Sequence, residues 1–319
     1  RSAVQQWAAN RSCGNPRCCK RLPRAIALRT METISPLDTE VRPYGTAEIA
    51  EAARRILAGQ CVAVATETVY GLAADATNGA AVAGIYAAKG RPSFNPLIVH
   101  VPDLEAAECL AHFDDAARAL AAQHWPGPLT LVLPARAENG IAALATAGLA
   151  SIAIRVPAHP AMQQLLRVSG KPLAAPSANA SGTISPTRAS HVLKSLAGRI
   201  PLIIDAGATQ AGLESTIIAL TDGVPRLLRP GPIDLGLILS SGGDIVAPGQ
   251  LASHYAPTKP LRLAATSADT GEWLIGFGPM ACHANLSVGA DLMEAAANLF
   301  DLLHQADASR SPKIAVAPI

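Results

Sequence analysis

Short apolar runs, each broken by a polar loop bearing glycine or proline, limit most severely how this chain can fold. Residues 61–65, 97–101, 129–133, 152–156, 202–205, 216–220 and 226–228 are such runs, and their length and aliphatic content fit buried strands. Helical patterns lie between them. Across 46–57, Ile49, Ala53, Ile56 and Leu57 fall on one face, and Gly59 supplies the stop. Residues 80–88, 114–123, 160–168 and 188–197 also read as helices, and the Trp125-Pro-Gly-Pro turn closes the second of these. Strands alternating with helices predict a layered α/β domain over residues 46–240. Its core has to be aliphatic, because half of the residues are hydrophobic but only 3% are aromatic.

The pattern breaks at Ser240-Ser-Gly-Gly-Asp244, and residues 241–260 are expected to be a linker. Strands at 261–264, 273–277 and 314–317 with a helix at 292–305 then predict a second, smaller α/β unit over 261–319. No helix follows its last strand, so a longer natural chain is expected. At the other end, residues 1–45 are expected to be a basic leader, disordered or upstream of the native start. Residues 1–30 hold seven basic side chains and no acid. That segment could be a targeting sequence, but the plainer reading, an extension ahead of a start at Met31, is preferred. Taking those seven charges from the net +2 leaves the remainder at about −5. Polyanions therefore have to be met by a local cluster of cations rather than by the net field. Cys13, Cys18 and Cys19 lack metal-ligand spacing, and Cys61, Cys109 and Cys282 sit in apolar segments as small core residues would. That usage, with no run near the ~20 apolar residues of a membrane helix, predicts a cytoplasmic protein.

In open α/β sheets ligands bind at the loops beyond strand C-termini, and several such loops here are loaded with polar groups. Lys89 and Arg91 suit a phosphate chain, one as a point charge and the other as a bidentate fork. A solvated helix C-terminus explains them too, and taken alone that plainer account is preferred. His100, ending an apolar strand, reads more readily as a structural residue. Arg155 interrupts the apolar strand 152–156, and Arg229 closes another. A buried arginine is costly unless an internal carboxylate or an anionic ligand meets it, and for both residues these alternatives stand even. Ser177-Ala-Asn179 with Ser181-Gly182 has the equipment of an anion nest, but taken alone an ordinary turn is preferred. No G-x-x-x-x-G-K-[ST], G-x-S-x-G or H-E-x-x-H occurs. Gly276-Phe-Gly-Pro-Met-Ala281 carries a proline and has no acid about 20 positions on, which excludes the dinucleotide reading.

Taken in order, several segments resemble the YrdC/Sua5 family, the threonylcarbamoyl-AMP synthases. They are Thr66-Glu-Thr-Val-Tyr-Gly-Leu72, Lys89-Gly-Arg-Pro, Asn95-Pro-Leu-Ile-Val-His100, Trp125-Pro-Gly-Pro-Leu-Thr130 and Ile154-Arg-Val-Pro157. Ala175-Pro-Ser-Ala-Asn-Ala-Ser-Gly182, Glu214-Ser-Thr-Ile217 and Leu228-Arg-Pro-Gly231 continue the series. Ala247-Pro-Gly249 and His254-Tyr-Ala-Pro257 point to the two-domain Sua5 form, and the resemblance covers about residues 46–319.

The resemblance implies an α/β fold in which a twisted mixed sheet carries a large, positively lined cavity, with a smaller Rossmann-like C-terminal domain. It implies formation of threonylcarbamoyl-AMP and pyrophosphate from L-threonine, bicarbonate and ATP, for t6A modification of tRNA. Carried over by position, Lys89, Arg91, Asn95, Ser151, Ser177, Asn179, Ser185 and Arg229 form the ATP set, with Tyr255 reaching back over the nucleotide. Lys89 and Arg91 would also carry the catalytic charge. Thr68, His100, Arg155, the backbone at Ala175 and Ser215 form the threonine set. Ser151 stands where the family often has threonine, which keeps the hydroxyl. Mg²⁺ is expected with ATP, bicarbonate as co-substrate, and as partner the machinery that transfers the threonylcarbamoyl group to tRNA, with at most a weak RNA contact. Two rivals remain: a related carbamoyl-adenylate enzyme of hydrogenase maturation or O-carbamoyl transfer, and a double-stranded RNA-binding module, which the acidic balance of residues 31–319 disfavours.

Overall fold

The computed structural model describes residues 37–239, 247–248 and 255–319. The expectations for Met31, the three leader cysteines, residues 240–244 and His254 fall outside the described residues. In chain order the first part runs β1 (Glu40–Pro43), α1 (Thr46–Leu57), β2 (Val62–Ala65), β3 (Tyr70–Asp75), α2 (Gly79–Lys89), β4 (Ile98–His100), α3 (Leu104–Leu110) and α4 (Asp115–His124). It continues with β5 (Leu129–Pro134), β6 (Ser151–Arg155), α5 (Pro160–Ser169), β7 (Leu173–Ala174), α6 (Ala189–Leu196), β8 (Leu202–Asp205), β9 (Thr216–Ala219) and β10 (Arg226–Arg229).

These ten strands form one mixed sheet in the order β1-β8-β2-β3-β7-β4-β6-β5-β9-β10. Antiparallel pairs such as β2–β3 and β5–β6 alternate with parallel ones such as β4–β6 and β5–β9. Successive residues of a strand face opposite sides, and here that alternation builds two cores. Ala63, Ala65, Leu129, Leu131, Ile152 and Ile154 pack under α2, α3, α4 and α6. Val62, Val64, Leu202 and Ile204 pack on the other side, under α1 and α5. Helices α1 and α5 cover only the β1-to-β7 end of that second face. Further along it, Ile98, Val132, Ala153, Ile217 and Leu228 meet Ala247, so the middle of the face is left for a cavity.

The smaller unit comprises β11 (Leu261–Arg262), β12 (Glu272–Gly276), β13 (Ala284–Asn285), α7 (Leu292–Ala308) and β14 (Lys313–Val316). Its strands are all parallel, in the order β11-β14-β12-β13. Asp291 caps α7 by accepting from the Glu294 N–H. Along α7, Ala295, Phe300, Leu303 and Ala306 share one core with Ile275, Ile314 and Val316, and also with Val69 and Ile184 of the larger unit.

The expected leader ends earlier than residue 45, because β1 pairs in parallel with β8 through Glu40–Leu202 and Val41–Ile203. Tyr70–Asp75 is strand rather than loop, and α3 and β13 are further additions. Cys109 is exposed rather than a core residue, since α3 turns Ala107 and Leu110 inward instead. No helix among the described residues is long and apolar enough to cross a membrane.

Candidate active site

The uncovered stretch of the second face collects the polar residues of the strands. Because Ile152 and Ile154 face the helices, Ala153 and Arg155 face the cavity. Parallel pairing of β4 with β6 sets His100 directly beside Arg155. On β10 a bulge between Leu227 and Arg229 lets Leu228 and Arg229 both turn toward this side, with Arg229 opposite Ile217. The narrow cavity is lined by Thr68, Arg91, His100, Arg155, Ala175, Ser177, Arg229 and Tyr255, with Thr66, Glu67's neighbour, and Glu214 between them.

Lys89 ends α2, whose αL cap Gly90 turns the chain out of the helix. The side chain is not solvated, being 3% exposed. Its Nζ donates to the carbonyls of Ser177 and Asn179, so the plainer account of this residue fails. Burial, helped by the neighbouring charge of Arg91 and opposed by Glu214, brings the ammonium down to about 7. Arg91 donates to the carbonyls of Asn95 and Pro96, at 3.1 and 2.8 Å, and so holds its own loop while lining the cavity.

Of the two alternatives offered for Arg155, the internal carboxylate is present. The arginine's Nη2 donates to Glu67 at 2.6 Å and its Nε to the Gly127 carbonyl at 3.2 Å. Nη1 makes no hydrogen bond among the described residues, on a guanidinium that lines the cavity. Glu67 also accepts from the Ala158 N–H at 3.0 Å. Burial pushes the Glu67 carboxyl up, but the Arg155 charge and these hydrogen bonds hold it below the usual carboxylate range. Burial and the Arg155 charge lower His100 to about 3, so its ring is neutral. Among the described residues its Nδ1 is buried without a partner, as are both polar atoms of the Asn95 side chain; orphaned buried groups of this kind suit a ligand.

Arg229 grips Ser215 twice, through the carbonyl at 3.0 Å and Oγ at 2.9 Å, and also donates to the Tyr255 hydroxyl at 3.1 Å. Glu214 stands 3.5 Å from Arg229 and accepts from Ser185 Oγ at 2.7 Å. Burial pushes the Tyr255 hydroxyl up to about 12, so it stays a neutral phenol.

The sequence-derived candidates therefore gather unevenly. Lys89, Asn179, Ser185 and Ser215 lie just behind the lining and are tied to it by the bonds above. Asn95 is fully buried beside Arg91. Ser151 shares a face with Arg155 at the far end of β6, outside the lining. Three polar residues without an assigned role also belong here. Glu67 and Glu214 partner the two arginines, and Thr130 Oγ1 meets Ser215 Oγ at 2.8 Å. Each lies inside a quoted motif, and the need of a buried arginine for a carboxylate was the signal for the first two. No cluster of three or more His, Cys, Asp or Glu groups among the described residues stands where it could hold a metal ion.

Residues 54–231 match the Sua5/YciO/YrdC family model, described as "Telomere recombination", and residues 219–319 match the model of the threonylcarbamoyl-AMP synthase C-terminal domain. The chain is 45% identical to the threonylcarbamoyl-AMP synthase of Bacillus subtilis over 72% of its own length and 70% of that protein. It is 46% identical to the same enzyme of Pyrococcus abyssi over 65% of each chain. It therefore spans slightly less than two thirds of the latter. The structure of P. abyssi Sua5 complexed with L-threonine superposes with a TM-score of 0.78 at 36% identity, covering 89% of this chain and 92% of that one. Escherichia coli YciO, at 22% identity and a TM-score of 0.55, shares the fold alone. Placed beside the cavity and its arginines, these matches show that the chain belongs to the YrdC/Sua5 family of threonylcarbamoyl-AMP synthases, in the two-domain Sua5 form.

Proposed function

We propose that the cavity joins L-threonine, bicarbonate and ATP into threonylcarbamoyl-AMP, releasing pyrophosphate and water. The observation that carries this reading is the convergence of Arg91, Arg155 and Arg229 on one buried hollow, with Lys89 buried just behind its Ser177 wall, while the nearest acids, Glu67 and Glu214, are already committed to arginines. Such a surplus of cations suits a triphosphate lying beside a carboxylate. The threonine amine and bicarbonate give a carbamate, and a carbamate oxygen attacks the α-phosphorus as pyrophosphate leaves. Little covalent work falls to the protein, whose part is to position the reactants and neutralise charge.

Arg155, steadied by Glu67, offers Nη1 to the threonine carboxylate, while the neutral His100 and the Thr68 hydroxyl stand at the same end of the cavity. Lys89, Arg91 and Arg229 serve the phosphates, with Asn95, Ser151, Ser177, Asn179 and Ser185 along the nucleotide. Mg²⁺ enters with ATP as part of that substrate. Tyr255 and Pro248 belong to the lining; in this reading they move to admit the nucleotide and then shield the labile product from water. Residues 46–240 form the catalytic domain in this reading, residues 241–260 the covering linker and residues 261–319 the C-terminal domain. The product passes, in the cytoplasm, to an enzyme that transfers it to tRNA.

The test is pyrophosphate release from ATP with and without threonine and bicarbonate, with mass detection of the adenylate. Threonine-dependent release without RNA supports the reading. Release that ignores threonine, or that requires RNA, sinks it.

A further inference from the structure

The nucleotide half of the candidate site rests on the helix of the smaller unit. His304 of α7 approaches the Ser185 carbonyl with Nε2 at 3.0 Å. A carbonyl only accepts, so in the neutral ring the proton lies on Nε2. His191 of α6 stacks on the same ring, with centroids 3.8 Å apart, and fixes its plane. From Ser185 the contacts continue inward, through Oγ to Glu214 and from Glu214 to Arg229.

Two further contacts reach the same half independently. The ring of Tyr255, whose hydroxyl meets Arg229, lies 5.7 Å from the ring of Phe300 on α7. Two residues before Glu214, the backbone of Gly212 presses on α7 so closely that a Cβ there would stand 2.0 Å from the Ala297 carbonyl oxygen. With φ at +64°, that position favours glycine on backbone grounds as well. The threonine half touches α7 less directly. Val69, beside Thr68, joins the apolar core of α7 and Ser215 is held by Arg229, but the hydrogen bonds of Thr68 and Arg155 run to Thr66, Glu67 and Gly127, all in the larger unit.

We propose that α7 is the platform on which the ATP-binding half of the site is set, with His304 as the positioning residue that holds the Ser185 loop. The inference rests on the proposed function and gives the C-terminal unit a task within it: it serves the nucleotide and leaves the amino acid to the large sheet.

The experiment measures KM for ATP and for threonine separately, by pyrophosphate release, in the full chain. His304→Ala should raise the ATP value about 5- to 10-fold, the weight of one buried hydrogen bond, and leave the threonine value within about 2-fold. His304→Gln, which keeps a donor near the Nε2 position, should recover most of the loss. Phe300→Leu, which keeps apolar bulk but removes the ring beside Tyr255, should shift the ATP value in the same direction and carries the test if His304→Ala melts too early. Equal shifts in both KM values, or no shift, in an active protein would overturn the inference and leave the parent reading standing. Absence of threonine-dependent release in the unaltered protein would overturn both.

Discussion

On β6, Ile152 and Ile154 disappear under helices, whereas Ala153 and Arg155, the alternate residues of the same strand, face the cavity. On β5, Leu129, Leu131 and Leu133 join the helix-covered core while Thr130 turns the other way to meet Ser215. One backbone thus supports a dry aliphatic layer and a charged one. Strands buried from both sides are rigid, so guanidinium and hydroxyl groups hung on them keep their geometry without substrate. The comparison teaches that the helix-covered face should control stability, and the open face chemistry.

Substitutions on the two faces should separate these roles. Lys89→Ala should cost on the order of 10²–10³ in the rate of pyrophosphate release; a loss below about 3-fold would show that this ammonium only anchors the loop at Ser177. On the opposite face, Ile154→Ala should lower unfolding stability by about 2–5 kcal/mol, read from denaturant curves, while both KM values of the folded fraction hold. A change in threonine KM there would blur the division between faces. Arg155→Lys, which keeps the charge but loses the fork, should raise the threonine KM about 30-fold and that of ATP by less than about 3-fold. Equal shifts would remove the arginine from the amino-acid site.

The smallest effect concerns protons. The folded Lys89 releases its proton at about 7, well below the 10.5 of a free lysine. Between those values the unfolded chain holds the proton that the folded one has lost, so the folded state gains as pH rises through the window. The gain is at most about 1.4 kcal/mol per pH unit, and Lys89→Met should flatten it in melts of the substrate-free protein. Binding of ATP near pH 7 should draw a proton back, seen in calorimetry as a dependence on buffer ionisation heat. Independence of the buffer would mean a fully charged lysine from the outset.

Much of this architecture was legible as alternation. The apolar runs at 129–133, 152–156 and 202–205 became β5, β6 and β8 nearly as expected, because a buried strand needs little besides aliphatic residues. Tyr70–Asp75 escaped notice since Tyr, Gly and Asp within a polar motif resemble a loop, although its neighbours β2 and β7 bury it completely. β1 was hidden for the opposite reason: it is an edge strand with alternate residues exposed, so little hydrophobic signal marks it. The cationic set could be named from motifs, but its wiring could not. That Arg155 takes Glu67 and Arg229 takes Glu214 depends on loops and strands that only the fold brings together, and no spacing rule connects residues 88 or 15 positions distant.

The extra residue in β10 carries a consequence for how this strand tolerates change in length. Leu227 packs toward the helix-covered side, and Leu228 and Arg229 both turn the other way. Deleting Leu228 would restore a regular ladder, with Leu227 opposite Ile218 and Arg229 opposite Ile217, so the guanidinium would keep its side and only the apolar packing of Leu228 would be lost. The neighbouring turn at 221–225 is exposed throughout and should accept insertions freely. Within a few residues, then, the chain passes from a place where its count is immaterial to one where one surplus residue is absorbed without turning the charge that follows it.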